Sequence, residues 1–251
     1  MSRYKLRANY DIENIDSQKM DGTVIVDVPM LSNGELNYGL SHIKKKLYEE
    51  NVYPSEIGFD IMSLATMVYM ADTRIERVVH GQDSWTREIE LEIPVSNVEI
   101  WDSQIRTVER MLKFLTGDLW KITLSSRAWQ FNNLEEVREK SNKYDEVSLF
   151  SGGMDSLIST INLMENKKNT LLISHAGEGL TKNAQKNIVN KFDLLYPDVL
   201  HTWLDLWMVF PRDYIPAGGN DNNTRSRSFL FIGYALFAMT GMDNINELLV
   251  P

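Results

Sequence analysis

The chain has 251 residues, 43% hydrophobic and 24% charged, enough to bury a sizeable core in one large or two small domains. Its net charge is −9, shared as −6 on residues 1–140 and −3 on residues 141–251, so neither part has the basic footprint of a protein that grips a phosphate backbone, and we expect no nucleic-acid partner. The absence of cysteine excludes disulfides, thiol nucleophiles and thiolate zinc sites, and the four histidines are scattered.

The opening Met1–Arg7 has no apolar signal core, and no run approaches the ~18 apolar residues of a membrane span. We therefore expect a soluble, cytoplasmic protein. The polar segment 132–145 separates two regions of different character, which places a boundary at 140/141.

In the first region, Thr23–Val28 is β-rich and bounded by Gly22 and Pro29. Ile57–Tyr69 carries apolar residues at helical spacing, and Glu88–Val95 alternates charged and apolar residues as a half-buried strand does. Ile105–Leu115 reads as a helix stopped by Gly117, and Trp120–Ser125 as a strand. The segments Asp83–Arg87 and Leu115–Asp118 read as turn chemistry between these elements. The pattern is that of an α+β domain.

The second region alternates strand and helix: strands at Val147–Phe150, Thr170–Ser174, Val199–Leu204 and Glu247–Val250, and helices at Ser156–Glu165, Lys182–Leu195 and Ser226–Met239. The Lys182–Leu195 helix is expected to turn Ala184, Ile188, Phe192 and Leu195 inward. Such alternation implies crossovers and an α/β fold with a parallel, doubly wound sheet, whose ligands sit at the carboxyl ends of the strands.

One segment carries chemistry. Val147–Phe150 is a strand, Ser151-Gly152-Gly153-Met154-Asp155-Ser156 a tight turn, and Leu157 begins a helix stripe. Gly152 and Gly153 let the backbone bring its N–H groups to an anion without an intervening Cβ. Ser151 and Ser156 add hydroxyl donors, and the helix points its positive end at the same place. Asp155 would repel phosphate unless a cation intervenes, which suits it to hold Mg²⁺. The turn lacks the Gly-Lys-Ser/Thr of a Walker loop. The competing reading is an N-cap turn in which Asp155 stabilises a helix end.

This hexapeptide resembles the SGGxDS signature of the N-type ATP pyrophosphatases, whose members adenylate a carbonyl or carboxyl oxygen and release pyrophosphate. The resemblance covers residues 145–250 and implies the adenine-nucleotide α-hydrolase-like fold, with ATP and Mg²⁺ as cofactors. Within the family the chain looks most similar to the 7-cyano-7-deazaguanine synthases of the queuosine pathway and their relatives in anti-phage defence operons. That likeness implies a 7-carboxy-7-deazaguanine-like carboxylate as the small-molecule substrate, captured by ammonia or an amine, and a partner protein from the same operon.

By the same resemblance the nucleotide site takes Phe150, Ser151, Gly152, Gly153, Asp155, Ser156, Ser174 and His175, with Arg225 and Arg227 from the Thr224–Ala235 segment. Asp155 and Arg227 are the implied catalytic residues and Asp155 the metal ligand. Two departures stand against the synthases. Their four zinc-binding cysteines are missing, so no zinc is expected. The chain also stops in what reads as a strand, so we expect it to be truncated after Pro251. Two other functions remain open, a tRNA-modifying pyrophosphatase and a nucleotide-binding scaffold without turnover.

Outside the hexapeptide, His175 and Glu178 lie in a Gly-containing loop that reads equally as a site or a turn. In the long segment Met208–Thr224, Phe210, Arg212 and Tyr214 either contact an aromatic substrate or anchor the loop, while Trp203 and Trp207 are expected in the core.

Overall fold

The computed structural model describes residues 3–131, 143–221, 223 and 225–251. The boundary expected at 140/141 lies outside the described residues, as does Thr224. The chain forms two compact units that are each discontinuous in sequence. The first gathers Met1–Asn37, Phe59–Asn132 and Phe210–Leu230, and the second gathers Tyr38–Gly58, Asn133–Val209 and Phe231–Pro251. The linear two-domain reading did not anticipate the exchange of 38–58 and 210–230.

The strands are β1 (Arg3–Asn9), β2 (Asp16–Met20), β3 (Thr23–Pro29), β4 (Leu31–Ser32), β5 (Glu35–Leu36), β6 (Glu88–Val95), β7 (Leu119–Ser126), β8 (Glu146–Leu149), β9 (Thr170–Ala176), β10 (His201–Trp207) and β11 (Leu248–Leu249). The helices are α1 (Leu40–Glu49), α2 (Glu56–Arg74), α3 (Arg77–His80), α4 (Val98–Asp102), α5 (Ile105–Thr116), α6 (Met154–Glu165), α7 (Gly179–Leu195) and α8 (Arg227–Met239). None is long and apolar enough to cross a membrane.

The first unit is built on a mixed five-stranded sheet in the order β2-β3-β1-β6-β7, antiparallel only between β2 and β3. The alternation of Glu88–Val95 is realised directly: Ile89, Leu91, Ile93 and Val95 are buried, while Glu88, Glu90 and Glu92 meet Arg3, Lys5 and Lys121 on the other face. Gly117 ends α5 at φ +78, a conformation that L side chains adopt poorly.

The second unit carries a four-stranded, fully parallel sheet in the order β10-β9-β8-β11. Counted along the chain within this unit, the order is third, second, first, fourth, so the winding reverses beside β8. The central strand β9 is buried along its whole length, as parallel strands covered on both faces are. Phe150, Leu172, Val189 and Phe192 form the core under α7.

Helix α7 begins earlier than the sequence suggested, and its inward face is turned by one residue. Gln185, Val189 and Phe192 are buried, whereas Ala184 and Leu195 are exposed. The expectation followed apolarity alone; a wholly buried glutamine is invisible to it.

Candidate functional site

β8 delivers the chain to the carboxyl edge of the parallel sheet, where Phe150 makes the last rung by donating its N–H to the Ile173 carbonyl at 2.7 Å. Ser151–Ser156 follows immediately, and α6 starts at Met154 with Asp155 in its first turn. Gly152 adopts φ +82, and a Cβ added there would lie 2.9 Å from Gln185 Cγ. Both the conformation and the space demand glycine.

Hydroxyls hold the turn. Gly152 N–H donates to Ser156 Oγ at 3.1 Å, Gly153 N–H donates to Ser151 Oγ at 3.2 Å, and the two hydroxyls lie 3.1 Å apart. Ser156 also donates to the Gly153 carbonyl at 3.0 Å. Ser151, Gly153, Met154 and Asp155 are exposed, so the loop opens to solvent, while Ser156 is buried and its hydroxyl is engaged within the turn. An exposed carboxylate beside two hydroxyls and a helix N-terminus has the oxygen-donor chemistry that suits Mg²⁺. Among the described residues, no group of three or more His, Cys, Asp or Glu side chains is arranged around a metal position.

Next to this loop, β9 places Ser174 and His175. Both are buried. Ser174 Oγ accepts from Trp203 Nε1 at 2.6 Å, and His175 Nε2 donates to the Met208 carbonyl at 3.2 Å with its ring edge-on to Phe231. Glu178 occupies the N-cap position of α7 without a side-chain capping bond, and its carboxylate accepts from the Thr181 hydroxyl at 3.0 Å. Phe150, the hexapeptide, Ser174 and His175 thus share the carboxyl edge of one sheet.

Two features on that edge escaped the sequence reading. Gln185 Nε2 donates to the Ser151 carbonyl at 3.0 Å and to the His175 carbonyl at 3.4 Å. On β10, Asp205 is paired with Lys46 of α1 and, at 2.7 Å, with Lys182 of α7. Burial alone would push the Asp205 carboxyl up, but the hydrogen bonds from Lys182 and Lys46 and the charges of both ammonium groups hold it below its ordinary value. Lys182 also lies 5.5 Å from the ring centre of Trp207, which is 43% exposed rather than in the core. No sequence signal joins residues 46, 182 and 205; only the strand order brings them together.

Compared with known proteins, the chain matches no family model, no curated protein and no solved structure.

The two arginines belong to the first unit. Arg225 donates from Nη1 to the Thr116 carbonyl at 2.9 Å, and its guanidinium lies 4.6 Å from the ring centre of Trp85. Arg227 opens α8, and its charge acts on Tyr69, whose hydroxyl is raised by burial and partly lowered again by Arg227 and Arg74. In the preceding loop Phe210 is buried and stacked on Tyr214, the anchoring alternative, while Arg212 is exposed.

Proposed function

We propose that the second unit is an ATP pyrophosphatase domain of the adenine-nucleotide α-hydrolase-like type and that the protein adenylates a carboxylate. The observation that supports this reading is the position of Ser151–Ser156: a Gly-turn with two hydroxyls, at the start of a helix, on the carboxyl end of the strand where a parallel sheet reverses its winding. Ligands of open parallel sheets bind at that point.

In this reading the loop would take the β- and γ-phosphates of ATP, and Asp155 would hold Mg²⁺. The metal supplies charge neutralisation for the pyrophosphate leaving group. The resemblance alone assigns Arg227 the neutralisation of the phosphate charge that develops as the substrate carboxylate attacks the α-phosphorus. The bond from the α-phosphorus to the bridging oxygen breaks, pyrophosphate departs, and ammonia or an amine displaces AMP from the acyl adenylate. No side-chain nucleophile is needed, because positioning and charge supply the catalysis. The acceptor we propose is a 7-carboxy-7-deazaguanine-like carboxylate.

The test is pyrophosphate release from ATP with Mg²⁺ and a panel of heteroaromatic carboxylates, using the full chain and an Asp155→Asn variant. Carboxylate-dependent release that disappears in the variant, with an unchanged melting curve, is expected. ATP binding without release under any acceptor would replace the enzyme reading by that of a nucleotide-binding scaffold, and retained turnover in Asp155→Asn would remove that residue from the mechanism.

A further inference from the structure

We infer that Gln185 is a positioning residue that ties the Ser151–Ser156 loop to the end of β9 and sets the loop conformation that receives the nucleotide. This rests on the nucleotide-loop reading for its ligand, and on four independent features of the structure for its geometry.

First, Gln185 is fully buried on a helix face otherwise occupied by Val189 and Phe192, where a leucine would fit without desolvating an amide. Secondly, its NH₂ group reaches two carbonyls beyond the last paired residues of β8 and β9. That pairing stops at Leu149 with Ile173, and the amide then bridges Ser151 and His175, so it continues the tie between the strands after the ladder has ended. Both partners are acceptors, which fixes the orientation of the amide: the nitrogen faces them and the oxygen faces away.

Thirdly, the stem of the same side chain supports Gly152. Its Cγ stands 2.9 Å from the position a Cβ would take, so the tightest point of the loop is moulded on Gln185. Fourthly, Gln185 Oε1 is enclosed and has no hydrogen-bond partner among the described residues. What the glutamine contributes here is therefore the hold of its NH₂ group, since the oxygen makes no bond in return. The N–H groups of Gly152 and Gly153, held here by the Ser156 and Ser151 hydroxyls, are the donors this reading offers to a phosphate, and the turn that carries them is held by the Gln185 bond to the Ser151 carbonyl and by the Gln185 stem.

Two substitutions in the full chain test this. Gln185→Met keeps the stem and removes the amide. Gln185→Glu keeps the shape, but its carboxyl must be protonated to donate to either carbonyl. Amide hydrogen exchange at Gly152 and Gly153 without ligand, and ATP affinity with Mg²⁺ by calorimetry between pH 5 and 8, are the readouts. We expect the Met variant to fold, to exchange at least tenfold faster at those two amides and to bind ATP at least tenfold more weakly. The Glu variant should lose affinity as pH rises, relative to the wild type at each pH.

Wild-type exchange and affinity in the Met variant, or a Glu variant that parallels the wild type across the pH range, would overturn the inference. So would a Met variant that does not fold, since the role would then be structural. If the wild type binds no ATP but the Met variant exchanges faster at Gly152 and Gly153, the loop-positioning role stands and the nucleotide reading falls.

Discussion

Arg87 and Asp118 form a bidentate pair in the interior of the first unit, Nη2 to Oδ2 at 2.6 Å and Nε to Oδ1 at 3.2 Å, with almost no solvent exposure on either side chain. Asp118 also accepts the Arg87 backbone N–H and both terminal nitrogens of Arg77. Asp72 accepts from Arg87 Nη2 and from the Ser226 N–H, so the network ties α2, the starts of β6 and β7, and the approach to α8. Removing one partner strands the other charges in a low dielectric. Asp118→Asn should therefore lower stability by about 3–5 kcal/mol in urea unfolding. A loss under 1 kcal/mol would mean that water reaches the cluster.

The same pair sets the acid limb of stability. Burial works to raise the Asp118 carboxyl, but hydrogen bonds and charge from Arg87, with Arg77 added, hold it below its ordinary value. A depressed folded-state pKa gives stability that is present above the unfolded value, near 3.9, and is lost as pH falls through the folded value. Asp205 acts in the same direction through Lys182 and Lys46. Unfolding free energy measured from pH 6 down to pH 2 should thus fall mainly below about pH 4. Equal stability at pH 2.5 and pH 6 would contradict the pairing.

Gly152→Ala meets two obstacles at once, a φ of +82 and the Gln185 Cγ at 2.9 Å. The left-handed conformation alone costs about 1–2 kcal/mol in a residue with a Cβ. The loop is exposed, so we expect the strain to be relieved by moving it rather than by unfolding the unit. Melting temperature should change little while ATP affinity falls tenfold or more. Unchanged affinity would detach Gly152 from the anion site.

Regular elements were legible where one physical signal dominated. The charged-apolar alternation of Glu88–Val95 and the strand-helix alternation after residue 146 both led to the observed elements. α1 was missed because its sequence, LSHIKKKLYE, is mostly polar and shows only Leu40, Ile43 and Leu47 as an inward stripe. The ionic network was missed for a different reason. Asp83–Arg87 and Leu115–Asp118 look like ordinary turn residues, and nothing in either segment shows that Arg87 and Asp118 face each other across 31 positions. The hexapeptide was legible as a local motif, whereas Gln185 and the Lys46–Asp205–Lys182 cluster depend on which strands lie side by side. Sequence spacing does not encode that.

Arg225 and Arg227 differ in their surroundings, and so in what their loss should do. Arg225→Ala removes the Thr116 carbonyl contact and the Trp85 stacking, and should lower stability by about 1 kcal/mol. Arg227→Ala should weaken ATP binding or slow adenylation by ~2 kcal/mol, as loss of a charge-assisted contact does. Lys167, in the turn after α6, is the control and should do neither. Equal effects of Arg227→Ala and Lys167→Ala on ATP would show that a charge at the start of α8 has no part in nucleotide chemistry.

Metal dependence separates the proposed chemistry from that of the zinc-braced synthases. Zinc in structural sites is held by cysteine and histidine, and this chain has no cysteine. Of its histidines, His175 is committed to the Met208 carbonyl, His80 to the Ala217 carbonyl and His201 to Asp193 and the Val199 carbonyl. Carboxylates alone favour hard cations over zinc, and for that reason the proposal gives Asp155 Mg²⁺ rather than zinc. A zinc-specific chelator should leave the melting curve and ATP affinity unchanged, whereas removing Mg²⁺ should abolish pyrophosphate release without altering the melting curve of the ligand-free protein. Stoichiometric zinc in the purified protein, or a melting temperature that drops on chelation, would defeat this expectation and would require a ligand set that includes one of those three histidines or His42 after rearrangement.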